Sequence, residues 1–256
     1  MKNIIILGSG RSGTSMLAGS FSDSGYFMGN ELWPANDSNP KGFFEDRIIN
    51  EINEDILELV APKRPVIFGQ HLFRERPIKW QRWLLNLDTD KKIKTNKEIN
   101  DRINIALNIE PFCFKDPRFS YTLPIWKPYL KNTVYLCIFR NPAHTSQSIL
   151  KECNNSPVLN HRKKGIKISY NHAINIWTSM YSHILKNHCK EENWMFLHYE
   201  QIFQKETQQR LEQISGAKLN SSFPEKKLQS KQDFDYIPEK CKKVYEELCE
   251  LSGFKE

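Results

Sequence analysis

The sequence predicts an α/β fold in three layers, a central parallel sheet flanked by helices. Two apolar runs carry the argument, Ile4 to Leu7 and Thr133 to Phe139 ("TVYLCIF"). Both are rich in β-branched residues and show no polar alternation, the pattern of strands buried on both faces. Each runs into a loop and a helix signal: a Gly/Ser loop after Leu7, and Arg140-Asn141-Pro142 after Phe139, with Pro142 suited to a first helical turn. Helical stretches separate the strands, so they lie parallel, joined by right-handed crossovers.

The remaining elements follow in order. Thr14 to Ser24 reads as a helix, and Asn39-Pro40-Lys41-Gly42 as a turn. Between Glu45 and Val60, Ile48, Ile49, Ile52, Ile56, Leu57 and Val60 recur at helical spacing. Residues from about 61 to 110 read as irregular and highly charged, with Trp80 and Trp83 in their midst. Phe112 to Lys115 is a short strand closed by Asp116-Pro117. A long helix is expected over Tyr170 to Asn187, a further strand over Trp194 to His198, and a helix from Glu200 to Ile214 stopped by Gly216. The tail from Asn220 is polar, with a helical end around Pro238 to Cys249. No internal repeat is visible.

Composition narrows the function. A hydrophobic content of 39% with 12% aromatic residues supports a real core and excludes a disordered chain. The net charge of +7 and a pI near 9.0 suit an anionic partner. None of the six cysteines forms a C-x-x-C pair or a zinc-spaced cluster, and Cys113 and Cys137 sit in apolar runs as reduced core residues. Gly8 ends the first apolar run too early for a signal peptide, and no segment approaches the roughly 20 apolar residues that cross a bilayer. A cytoplasmic chain with no membrane partner is the expectation.

The loop Gly8-Ser9-Gly10-Arg11-Ser12-Gly13 satisfies G-x-G-x-x-G between a strand and a helix. A dinucleotide-binding fold also needs a second strand ending in an acid about 20 residues on. Glu31 stands at that distance, but "GYFMGNELWP" is a poor strand. Gly8 and Gly13 also have the spacing of a nucleotide-hydrolase P-loop, with Thr14 following. The Lys after the second Gly is missing, and no later strand ends in a clear magnesium ligand. What survives is an anion cradle: backbone N–H groups from Ser12 to Ser15 at a helix start, the hydroxyls of Ser12, Thr14 and Ser15, and the forked cation of Arg11. It needs no metal.

Ligands of parallel sheets bind beyond the carboxyl ends of the strands. Arg140 stands at such an end, with Ser148 eight residues later on the following helix, an arrangement able to grip a second phosphate. Lys115 stands at another. With "ILGSGRSGTSML", "NPKGFFED", "CFKDPRF", "CIFRNPAHTSQSI", "INIWTSMY" and "FLHYEQI" in that order, the chain resembles the sulfotransferases that use 3′-phosphoadenosine-5′-phosphosulfate (PAPS), over roughly Ile4 to Gly216. The resemblance is closer to the carbohydrate- and tyrosine-modifying branches than to the cytosolic small-phenol branch. It implies a P-loop-like domain. Arg11, Ser12, Gly13, Thr14 and Ser15 would bind the 5′-phosphosulfate, and Arg140 and Ser148 the 3′-phosphate. Lys115 and Arg11 would act on the transferred group. Arg11 stands where many members have Lys.

Transfer to a hydroxyl or amine needs a base near the acceptor. In the small-phenol branch a His follows the strand-end Lys two residues on; here that position is Pro117. Other branches use a carboxylate, and Glu45 in "KGFFED" is the candidate base, with Asp46 and then His71 as alternatives. The whole chain, 1–256, is expected to form one such domain, with an acceptor-side insertion at about 61–110. There Trp80 and Trp83 stack on the acceptor or pack in the core, and Lys163 and Lys164 extend the 3′-phosphate site or face solvent. A carbohydrate acceptor is mildly preferred, and adenosine 3′,5′-bisphosphate (PAP) is the expected product. The rivals are a nucleotide-dependent kinase, which requires magnesium, and a basic nucleic-acid-binding protein, for which no compact recognition motif exists.

Overall fold

The computed structural model describes residues 1–37, 39–65, 72–156, 159–160, 165–189, 193–224 and 236–255. The apolar runs become the strands β1 (Asn3–Leu7), β2 (Cys113–Lys115), β3 (Thr133–Phe139) and β4 (Trp194–His198), all parallel in the order β2-β1-β3-β4. β1 is the shared neighbour: Ile5 lies opposite both Phe114 and Tyr135, and Cys137 of β3 lies opposite Phe196 of β4.

Strand side chains alternate between faces, so each strand feeds two cores. Ile5, Leu7, Tyr135, Cys137 and Phe139 point to one face. There they meet α2 (Arg47–Glu58), α3 (Lys97–Ala106), α4 (Phe119–Trp126), α6 (Tyr170–Asn187) and α8 (Glu239–Ser252). Ile4, Ile6, Val134, Leu136 and Ile138 point to the other, against α1 (Thr14–Gly19) and α7 (Lys205–Ser215). This burial on both faces is why β1 and β3 carry no polar residue between their first and last apolar positions. α5 (Pro142–Asn155) packs with α6 over a third cluster that includes Leu84, Leu85 and Leu87.

Three sequence expectations change. The helix from Thr14 ends at Gly19, giving way to turns such as Phe21 N–H to the Ala18 carbonyl (3.0 Å). The helix expected from Glu200 begins as a 3-10 turn over Tyr199–Phe203 and becomes α-helical only from Lys205, ending at Gly216 in the left-handed conformation. Within 61–110, α3 forms where an irregular stretch was expected. Asn96 caps it through Ile99 N–H (2.9 Å), and only Ile99 and Ile103 face inward, too thin a stripe to stand out among charges. All six cysteines are free thiols, and burial pushes those of Cys113 and Cys137 well up. Glu31 ends no strand; it lies by the isolated bridge Leu32–Asp46 and pairs with Arg47 at 3.4 Å. Among the described residues no helix is long and apolar enough to cross a membrane.

Candidate active site

The loop after β1 is shaped by close approach. At Gly8 (φ 136°) a Cβ would fall 2.2 Å from the Ile138 carbonyl oxygen, and at Gly13 (φ 99°) one would fall 2.6 Å from the Tyr199 ring. Arg11 itself adopts a left-handed backbone (φ 70°), an uncommon conformation for a side chain of this size and typical of functional loops. The loop is pinned from α6: Ser9 N–H donates to the Tyr181 hydroxyl (3.0 Å), which donates to the Ile138 carbonyl (2.7 Å). Gly13 stands at the cap position just before α1, and among the described residues no side chain caps that start. Its first-turn N–H groups lack intrahelical acceptors.

Gly10, Arg11, Gly13, Thr14 and Ser15 line a cavity of about 600 Å³ at the carboxyl ends of β1, β2 and β3, a size in the range of small-molecule sites. Ser12 is not brought to it. Its N–H is turned to the Ser9 carbonyl (3.2 Å), and its fully buried hydroxyl lies 3.5 Å from that of Thr145. It anchors the loop to α5.

Toward β3 and β4, Arg140 and Ser148 line the same cavity. The Arg140 guanidinium lies over the Tyr199 ring, 4.8 Å from its centre, and its buried Nε has no hydrogen-bond partner among the described residues. Burial lowers its pKa; Tyr199 and Glu200 oppose this, and the charge of Arg11 adds to it. Arg11 Nε donates to Ser148 Oγ (3.1 Å), and its Nη1 stands 3.6 Å from Glu152 Oε2. Two guanidiniums thus share one pocket. Glu152 offsets the charge of Arg11, whereas the buried Nε of Arg140 has no partner among the described residues, so the residues present fit a phosphorylated ligand.

Toward β2, Lys115 is 2% exposed. Its Nζ donates to Ser15 Oγ (3.1 Å) and pairs with Glu45 Oε1. The neighbouring acid does something else. Asp46 caps α2, accepting from Ile48 and Ile49 N–H (2.9 and 3.0 Å), and its second oxygen accepts from Glu31 N–H (2.9 Å). Glu45, at the cavity, and Asp46, at the helix start, are separated in role by one residue.

Trp83 packs on the loop, where a Cβ at Gly10 would fall 2.6 Å from its ring. Trp80 meets Trp33 edge to face, 5.7 Å between centres. His71, Lys163 and Lys164 lie outside the described residues. Sequence reasoning missed Tyr181, Tyr199, Glu152 and Trp33. Of these, Tyr181 and Tyr199 lie inside the quoted "INIWTSMY" and "FLHYEQI" stretches; Glu152 sits four residues after Ser148, one helical turn on, and was legible as a neighbour of that side chain. Among the described residues no group of three or more His, Cys, Asp or Glu side chains could hold a metal ion.

No protein-family model matches the chain, and no curated protein matches it. Solved structures do. The chain is similar to a sulfotransferase from Alicyclobacillus acidocaldarius at 11% identity, over 99% of this chain and 92% of that one, with a TM-score of 0.46. It is also similar to a sulfotransferase domain from the curacin biosynthetic pathway at 14% identity, over 96% of this chain and 97% of that one, with a TM-score of 0.50. At that identity the likeness speaks to architecture: the chain shares the α/β fold of that sulfotransferase domain.

Proposed function

We propose that residues 1–256 form one sulfotransferase domain. It transfers a sulfuryl group from PAPS to a hydroxyl or amine, and the 61–110 segment covers the acceptor. One observation carries the reading: the order of strand ends across the sheet. Arg140 with Ser148 follows β3, the glycine loop follows β1, and Lys115 with Glu45 marks β2, in that spatial sequence. A donor with a phosphate at each end of its ribose spans the first two, and its reactive end faces the third. The buried, unpartnered Nε of Arg140 supports an anion at the β3 end.

In this reading Arg140 and Ser148 hold the 3′-phosphate. Gly13, Thr14 and Ser15 hold the 5′ group with Arg11, whose fork also touches Ser148. PAPS supplies the sulfuryl group and leaves as PAP. Glu45 accepts the acceptor's proton as its oxygen or nitrogen attacks sulfur, and Lys115 Nζ donates to the bridging oxygen as its bond to sulfur breaks. Ser12 anchors the loop to α5 through Thr145.

Thermal shift tests it. PAP without magnesium should raise the melting temperature more than AMP, ATP or NAD does, because a ligand that binds only the native state stabilises it by mass action. Arg140→Ala should weaken PAP binding by about 1.5–3 kcal/mol, the scale of a charge-assisted hydrogen bond, and AMP binding far less. Equal losses for both ligands would remove Arg140 from the 3′-phosphate site, and a magnesium-dependent preference for ATP would favour a kinase.

A further inference from the structure

We infer that Glu152 reads the 2′ position of the donor's ribose: its carboxylate accepts a hydrogen bond from the 2′-hydroxyl and repels a nucleotide phosphorylated there. This rests on the sulfotransfer reading above and adds to it a residue that selects the donor. Glu152 lies on α5 four residues after Ser148, so the two side chains share one face of that helix. Both line the cavity, and both reach one guanidinium: Arg11 Nε donates to Ser148 Oγ (3.1 Å), and Arg11 Nη1 stands 3.6 Å from Glu152 Oε2. With the 3′-phosphate on Ser148 and Arg140, the neighbouring ribose carbon carries the ring's one free hydroxyl. Glu152 is the next side chain along that face of the helix, one turn away.

A carboxylate in a pocket for a polyanion opposes its ligand by like charge, so its presence needs a reason. Balancing Arg11 is not enough of one. A carboxylate paired closely with an arginine sits at about 2.7–2.9 Å, commonly through two parallel bonds. Glu152 stays at 3.6 Å, and among the described residues no hydrogen bond reaches its side-chain oxygens. Its side chain is only 12% exposed, so little water satisfies them. A carboxylate so placed gains from a donor supplied by the ligand. The phosphate ends of the nucleotide are acceptors. The 2′-hydroxyl can donate, and it flanks the phosphate that Ser148 holds. Acidic side chains take ribose hydroxyls in the same way in dinucleotide-binding folds. A phosphate at the 2′ position would instead face the carboxylate, and selection by repulsion adds to selection by attraction.

Isothermal titration calorimetry without magnesium tests this with three ligands: PAP, its 2′-deoxy analogue and adenosine 2′,5′-bisphosphate. The parent should bind PAP at least about tenfold tighter than the 2′-deoxy analogue, the scale of a hydrogen bond to a charged group. Glu152→Ala should cut that ratio to below about threefold, whatever it does to PAP affinity itself. It should also reduce the preference for PAP over the 2′,5′ isomer by about tenfold, because the repelling charge is gone. Glu152→Gln keeps a carbonyl acceptor without the charge. It should retain part of the preference over the 2′-deoxy analogue and lose the same part of the preference over the 2′,5′ isomer. A carboxylate that only steadies Arg11 would change all three affinities by the same factor. Ratios unchanged in Glu152→Ala, or a parent that binds PAP and the 2′-deoxy analogue equally, would overturn the assignment alone. Melting temperatures certify the folding of both variants. If the alanine variant does not fold, an unchanged preference over the 2′,5′ isomer in Glu152→Gln overturns it equally. Failure of the parent to bind PAP would instead bring down the sulfotransfer reading and this one with it.

Discussion

At the scale of single residues, Glu45 and Asp46 show how one position along the chain divides chemistry from architecture. Glu45 meets Lys115 at the cavity, whereas both oxygens of Asp46 are taken by backbone N–H groups. Glu45→Gln keeps shape but cannot take a proton, so turnover should fall by on the order of 10²–10⁴ with PAP affinity intact. Asp46→Asn keeps a good capping side chain and should change turnover little. Lys115→Ala should lower kcat more than donor affinity, because its contribution grows as charge develops on the bridging oxygen. Arg11→Ala should weaken donor binding as well as turnover. Steady-state kinetics with PAP titration separates these cases: normal turnover in Glu45→Gln moves the base elsewhere, and a Lys115→Ala effect confined to affinity removes its role in the transfer step.

At the scale of elements, α2 is a helix with a polar stripe on its buried side. Asn50, Asn53 and Glu54 reach the turn after β2. Asp116 Oδ2 accepts from Asn50 and Asn53 (2.8 and 2.9 Å), and Asp116 Oδ1 from the Arg118 backbone and side chain (2.9 and 3.0 Å). Glu54, fully buried, accepts from Arg118 Nε and Arg82 Nη1, both at 2.8 Å. One helix thereby fixes both the strand end that carries Lys115 and the segment that carries Trp80 and Trp83. Buried networks of this kind rigidify, and removing one partner leaves the other uncompensated. Glu54→Gln should cost about 3–5 kcal/mol of stability, read as a drop in urea midpoint at unchanged m-value. A change under about 1 kcal/mol would show that the two arginines find other partners.

At the scale of the whole molecule, buried histidines should set the acid limit of stability. Burial holds His188 down to about 4, with its Nε2 against the Ser120 carbonyl (3.0 Å) and the charges of His183 and Lys127 adding to the depression. His198 is likewise held to about 4 by burial, Arg140 and His144. The folded pKa lies below the unfolded value near 6.5, so the unfolded chain binds more protons between the two. Stability is therefore full above about pH 6.5 and lost as pH falls toward 4. For His188 the loss approaches about 3 kcal/mol, at 1.36 kcal/mol per pKa unit. Urea midpoints measured from pH 8 to 4 should be flat and then fall, and His188→Gln should flatten the fall. A midpoint that is level through pH 4.5 in the parent would contradict the assignment.

The sequence alone determined β1, β3 and β4, because strands buried on both faces leave an unbroken apolar signature that needs no knowledge of the partner, and α6, whose apolar residues recur at helical spacing. It also carried the glycine loop and the Arg140–Ser148 spacing, which are short-range patterns. Its weaker elements failed where the local signal was thin: α3 buries two isoleucines amid charges, and α1 stops after six residues at Gly19. The contacts that build the candidate site were decided by tertiary structure. Lys115 and Glu45 are 70 residues apart and Arg11 and Ser148 are 137 apart, so only the sheet order β2-β1-β3-β4 brings them to one rim. The same holds for the choice between Glu45 and Asp46. Both are acids before a helix in the sequence, and which one caps it depends on a single step of backbone direction into α2, from extended at Asp46 to helical at Arg47.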